Sequence, residues 1–223
     1  MVVTLINVAS MADVTSSSLS MFMERGGLLM WPLLFCSLLT VTVVCERLIV
    51  YTVAAFAARR GRVGVKAVYT ALANGSVEEA IVIGKSAGPV GRFLAEGIAQ
   101  RDYGFSESLE EAGQQMISRL GKRLSILDTM VTLAPMLGIL GTVTGIIGSF
   151  HLLGTAEAGA DPASVSVGIA EALVTTATGL IVSMTALVPF NMFKSRLLKW
   201  ARTLERAARH AQQALKKGSI DET

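Results

Sequence analysis

Charge is scarce in this sequence: 17% of its 223 residues are Asp, Glu, Lys or Arg, 52% are hydrophobic, and the mean hydropathy is +0.55. Such a balance excludes a disordered chain, sits badly with a soluble domain of this size, and fits a membrane protein. Cysteine is rarer still. Cys36 and Cys45 stand nine residues apart, which on one helix means about 13 Å along the axis and opposite faces, so they cannot bridge within it. There is no CxxC, and histidine is confined to His151 and His210, so neither a metal site nor a cofactor is expected. The basic residues lack the interleaved aromatics of a nucleic-acid motif. "MVVTLINVASMADV" has no positive charge ahead of its apolar stretch, so a cleavable signal peptide is not expected.

What the chain does have is long apolar runs. A bilayer core of about 30 Å requires about 20 apolar residues in helical form. Three stretches qualify: Leu28 to Cys45, Thr129 to Phe150, and Val165 to Phe193, the last broken only by Glu171. Lys and Arg set their orientation, because cytoplasmic flanks accumulate positive charge. Arg25 alone precedes the first run, and the stretch from His151 to Ser164 has no Lys or Arg. By contrast, ten fall between Ala58 and Leu127, and eight from Lys194 onward. The resulting plan is an outer N-terminal segment (1–27), a first span with its cytoplasmic extension (28–57), a cytoplasmic helical loop (58–126), a second span (127–151), an outer loop (152–164), a third span (165–193) and a cytoplasmic C-terminal helix (194–223).

No alternating strand pattern interrupts the loop, so the expected fold is all-α. Leu19, Phe22 and Met23 recur at helical spacing and could lie on the outer surface, or belong to a frayed terminus. After the Asn74-Gly75 turn, Ser76 and Glu79 have capping-box spacing, and Pro89 stands near another helix start. Ser106 or Ser108 is placed to cap a helix whose apolar positions Leu109, Met116, Leu120, Leu124 and Leu127 run on into the second span as one continuous helix. Asp161-Pro162 reads as the start of the third membrane helix. Beyond it, Leu197, Ala201, Leu204, Ala208, Ala211 and Leu215 form a coiled-coil-like seam. That seam requires a second long helix, from this chain or from a neighbouring copy.

Gly138, Gly141, Gly145 and Gly148 follow one another at intervals of 3, 4 and 3, a narrow stripe that includes a GxxxG. In lipid such a stripe is first of all a packing seam. Thr142 lies beside it, in register with Ser149. In the third run the hydroxyls Ser166, Thr175, Thr176, Thr178, Ser183 and Thr185 accumulate. At 100° per residue Thr175 and Thr178 share the face of Glu171, while Thr176 turns away by roughly 140°. Glu171 lies about 14 Å beyond Pro162 along the helix, and placing a charge at such depth costs about 3 kcal/mol or more. Either the carboxylate snorkels to water, or it faces a cavity and handles ions. No basic residue within the spans can pair with it.

"LAPMLGILGTVTGIIGSF", "GIAEALVTTATGLIVSMTALVPFNMF" and "GGLLMWPLLFCSLLTVTVVCERL" resemble the ExbB/TolQ/MotA proton-channel family, closest to its ExbB and TolQ branch, in an order that covers nearly the whole chain. The resemblance implies that Glu171, Thr142 and Thr176 line a proton pathway and that Pro135 kinks the second span. It further implies a homopentamer around a dimer of a single-span ExbD/TolR-like partner that carries an Asp. Proton flow would drive rotation and pass work to a TonB-like or other periplasm-spanning effector. Thr175, which the helical wheel sets beside Glu171, joins the pathway on that ground. Three spans disfavour the four-span flagellar stator branch, and few oxygen ligands near the glutamate favour H⁺ over Na⁺. The expected role is therefore an inner-membrane motor subunit rather than an enzyme. A TolQ-like envelope motor, a gliding motor and a non-conducting scaffold are the rivals; a solute transporter would show internal repeats, and none is visible.

Overall fold

The computed structural model describes residues 27–101, 104–155 and 162–221. Leu19, Phe22, Met23 and Asp161 lie outside the described residues. Among the described residues seven helices follow in order: α1 (Met30–Arg60), α2 (Arg62–Ala73), α3 (Val77–Ser86), α4 (Gly88–Ala99), α5 (Phe105–Gly121), α6 (Leu124–Thr155) and α7 (Pro162–Asp221). Among the described residues there is no strand. Three of the helices, α1, α6 and α7, contain stretches long and apolar enough to cross a membrane. Their large side chains, among them Trp31, Leu38, Ile139, Ile147 and Met184, face away from the chain's own core. A helix that is apolar all round needs an apolar surrounding. This chain is a multi-pass membrane protein.

The contacts divide the chain into two compact units, one built from residues up to Val43 with Ile126–Pro189, the other from Val44–Ser125 with Phe190 onward. In the first, Met30, Leu33 and Cys36 of α1 pack with Met130 and Ala134 of α6 and with Val182 and Ala186 of α7. Thr40 is buried on α1 and returns its hydroxyl to the Cys36 carbonyl at 2.7 Å, the usual way a membrane helix absorbs a threonine.

In the second unit the short helices α2 to α5 surround the end of α7. Val68 and Leu72, Phe93, Leu94 and Ile98, and Leu109 form its core together with Leu204, Ala207 and Ala211. Each fully buried Leu or Phe contributes about 2 kcal/mol. The α7 seam is thus occupied within the chain: Leu204 and Ala211 are buried in this core, and Ala208 and Leu215 pack against it. What covers the seam from Leu204 onward is a set of short helices of the same chain and not a second long helix.

Turn chemistry follows the sequence in part. Gly75 (φ +75°) and Gly88 (φ +74°) take left-handed conformations at the starts of α3 and α4, and Pro89 lies in the first turn of α4. Ser76 stands at the N-cap of α3, but its side chain makes no capping bond. The α5 cap differs more. Helix α5 starts at Phe105 after Gly104, so Ser106 and Ser108 lie inside it, and the Ser108 hydroxyl donates to the carbonyls of Gln100 (2.6 Å) and Gly104 (2.8 Å).

Nor do α5 and α6 form one helix. The chain breaks at Lys122-Arg123, where Arg123 has φ +67°, a conformation costly for a residue with a Cβ. Polar contacts hold this break. The Leu120 carbonyl, left without a helical partner by the ending of α5, accepts from the buried Arg47 guanidinium and from the Tyr51 hydroxyl, each at 3.2 Å. Glu46 in turn receives Arg47 Nη2 at 3.0 Å and is bonded by Arg123. Tyr51 also stacks flat on Phe193, with ring centroids 5.2 Å apart. The "CERL" at the end of the first apolar run thus carries the residues that terminate a helix far away in sequence.

Candidate functional site

Helices α6 and α7 pair antiparallel in the first unit, and small residues let them touch backbone to backbone. A Cβ on Gly179 would stand 2.5 Å from the Ala134 carbonyl oxygen and 3.1 Å from Gly138 Cα; one on Gly145 would stand 2.7 Å from Ala172 Cβ. Gly138 faces the backbone of Thr175 and Thr176, and Gly141 faces the Thr175 side chain. In lipid such proximity supplies the dispersion contacts that hold helices together. The glycine stripe from Gly138 to Gly145 is a packing seam, as its spacing suggested.

Pro135 lies inside α6. A proline cannot donate to the carbonyl four residues back, which here is Val131. Ser183 of α7 fills that acceptor, its Oγ donating to the Val131 carbonyl at 2.7 Å. Thr176 does the same further along, donating to the Gly138 carbonyl at 2.7 Å. Two hydroxyls of one helix thus bind the backbone of the other. Ser183→Ala should leave the Val131 carbonyl without its partner and cost about 0.6–1.7 kcal/mol, between the average and the largest interhelical hydrogen bond in membrane proteins. A lower melting temperature of the detergent-purified chain, with Ser183→Thr closer to native, is the expected result.

Beyond the tight contact the helices leave a groove of about 650 Å³, whose polar lining is Thr144, Ser149, Glu171 and Thr175, with Gly148 and Gly168 beside them. A Cβ on Gly148 would meet no other part of the chain within 4 Å, so the stripe opens where the packing ends. Glu171 is half-buried on this wall, and no Lys or Arg lines the groove. The surrounding hydroxyls donate to their own helices: Thr175 to the Glu171 carbonyl (3.0 Å), Ser149 to the Gly145 carbonyl (2.9 Å), and Thr144 to the Leu140 carbonyl (2.9 Å). A hydroxyl whose proton is so engaged still accepts through its oxygen. The arrangement is one titratable acid among acceptors, suited to holding a proton or passing it to water.

The structure therefore brings Glu171 and Thr175 together and leaves two of the expected residues elsewhere. Thr176 is turned to Gly138, and Thr142 donates to the Ile139 carbonyl at 2.7 Å and is not among the residues lining the groove. Ser183 and Thr144 carry parts that sequence reading had not assigned. For Ser183 the available signal was the proline, which marks the carbonyl four residues before it as needing a donor. Among the described residues no cluster of His, Cys, Asp and Glu could hold a metal.

Three apolar helices, with the carboxylate of Glu171 on a groove between two of them, define a multi-pass membrane protein. Residues 85–206 match the MotA/TolQ/ExbB proton channel family, more than half of the chain, and the chain belongs to that family. It is 31% identical over 181 residues to an ExbB-like biopolymer transport protein of Synechocystis, covering 77% of this chain and 68% of that protein. It is 38% identical over 91 residues to the biopolymer transport protein ExbB of Aquifex aeolicus, 39% of this chain and 60% of that one. With the Tol-Pal system protein TolQ of Pseudomonas aeruginosa it shares 37% identity over 93 residues, 42% of this chain and 40% of that protein. The likeness places it in the ExbB/TolQ branch.

Proposed function

We propose that this chain is the proton-conducting subunit of an inner-membrane motor, with its N-terminus periplasmic and its C-terminus cytoplasmic. It works as a homopentamer around a dimer of an ExbD/TolR-like single-span partner that contributes an Asp. The observation that carries this reading is Glu171, the lone charge of the third apolar run, half-buried on a groove whose other polar members are hydroxyls. A buried carboxylate without a cation beside it is retained where ions move. Protons descending the membrane potential release about 2.3 kcal/mol per charge per 100 mV, so a few per cycle supply a mechanical step.

In this reading Glu171 takes and releases the proton, Thr175 holds its helix turn, and Thr142 and Thr176 contribute in the assembled pore. Pro135, Gly138, Gly141 and Gly145 set the close approach of the two helices. The work is delivered to a TonB-like effector and energises outer-membrane import. Likeness to a TolQ over 93 residues favours an envelope motor of the Tol-Pal type as the second reading. Proton flux into liposomes containing the complex with its single-span partner tests the central claim. A complex that assembles and conducts nothing would be a scaffold.

A further inference from the structure

A groove of about 740 Å³ opens in the second unit between the end of α1, the start of α2 and the part of α7 beyond Phe193. Six cations line it, Arg59, Arg62, Lys66, Arg196, Lys199 and Arg206, and no Asp or Glu does. Arg196, Lys199 and Arg206 fall on one stripe of α7, since their spacing of 3 and 7 follows the helical turn. Among the described residues none of the six makes an ion pair. Like charges gathered without counter-charge repel, and a bound anion relieves them.

Beside the cations the lining is mixed: Tyr51, Tyr69, Thr203 and His210 bring polar groups, while Ala55, Ala58 and Val65 on one wall and Trp200 on the other present an apolar surface. An inorganic anion would engage the cations and leave that surface wetted. A molecule joining a phosphate to hydrocarbon satisfies both. Position argues the same way. Arg59 lies in the last turn of the apolar helix Met30–Arg60 and Arg62 follows it, while Arg196 and Trp200 come shortly after the third apolar run, which closes at Phe193. Trp, Lys and Arg concentrate where headgroups meet water, and basic pockets at that level bind anionic headgroups.

We propose that this groove binds the phosphate headgroup of an anionic phospholipid from the cytoplasmic leaflet. The proposal rests on the topology given under the proposed function and adds a ligand to a part of the chain remote from Glu171.

Native mass spectrometry of the full-length protein in detergent tests it, with added phosphatidylglycerol or phosphatidylcholine as probe. The chain should retain phosphatidylglycerol selectively. Each cation near an anionic headgroup contributes about fivefold, so Arg196→Gln with Lys199→Gln should weaken retention by about 30-fold. Arg59→Gln with Lys66→Gln, on the opposite wall, should do likewise and stands in if the first pair fails to fold. Arg92→Gln with Arg101→Gln removes equal charge from exposed positions outside the groove and should change nothing. Equal retention of phosphatidylcholine, or an equal loss in that control, overturns the proposal. So does displacement of the lipid by millimolar inorganic phosphate, which would mark a free-anion site. Altered oligomer mass without lipid loss overturns it too, since the groove would then be covered by a second copy. Proton flux into liposomes containing the complex with its single-span partner, made from the same variants, separates the two claims: intact flux without lipid selectivity removes this one alone.

Discussion

Glutamine in place of Glu171 should reduce proton flux through the reconstituted complex to that of protein-free liposomes, while the chain still assembles and melts near its native temperature. The two side chains are nearly the same size, so packing on the groove wall is kept. What is lost is the group that can gain and lose a proton. Thr175→Val, by contrast, removes a hydroxyl that donates to the Glu171 carbonyl and should lower flux without abolishing it. A Glu171→Gln complex that conducts like the native one would remove the proton role from this residue.

The second large effect is expected at Gly179. A valine there must displace either the Ala134 carbonyl or the Gly138 backbone, 2.5 and 3.1 Å from where its Cβ would sit. Neither can move as a flexible side chain would, so the helices must part. Overpacking of this kind costs about 1–3 kcal/mol and occasionally more. Parting also lengthens the bonds from Thr176 and Ser183. A marked fall in melting temperature, larger for Gly179→Val than for Gly179→Ala and accompanied by loss of flux, is expected. A valine variant as stable as native would mean that the two backbones do not approach at this point.

Much of this arrangement could be read from residue order. The apolar runs announced α1, α6 and α7 because hydropathy over twenty residues is a local property. Glu171 stood out because nothing charged surrounds it in sequence, and the helical wheel set Thr175 near it and Thr176 away because α7 is regular there. What escaped the reading required contacts between distant segments. The break at Lys122-Arg123 contains neither glycine nor proline, and it is held by Glu46, Arg47 and Tyr51, more than sixty residues earlier. Ser106 and Ser108 looked like caps because serine prefers that role, yet Gly104, free to adopt φ +104°, starts the helix before them. The α7 seam was equally compatible with a neighbour or with the chain itself, since periodicity states that a face needs covering and not by what.

The hydroxyl of Ser183 standing in for the amide that Pro135 lacks has an evolutionary and genetic corollary. Restoring an amide with Pro135→Ala gives the Val131 carbonyl a donor in its own helix, so Ser183→Ala should be nearly silent in that background though harmful alone. The two positions should therefore show epistasis in a double-mutant cycle, and a suppressor screen begun from the serine defect should return changes at the proline.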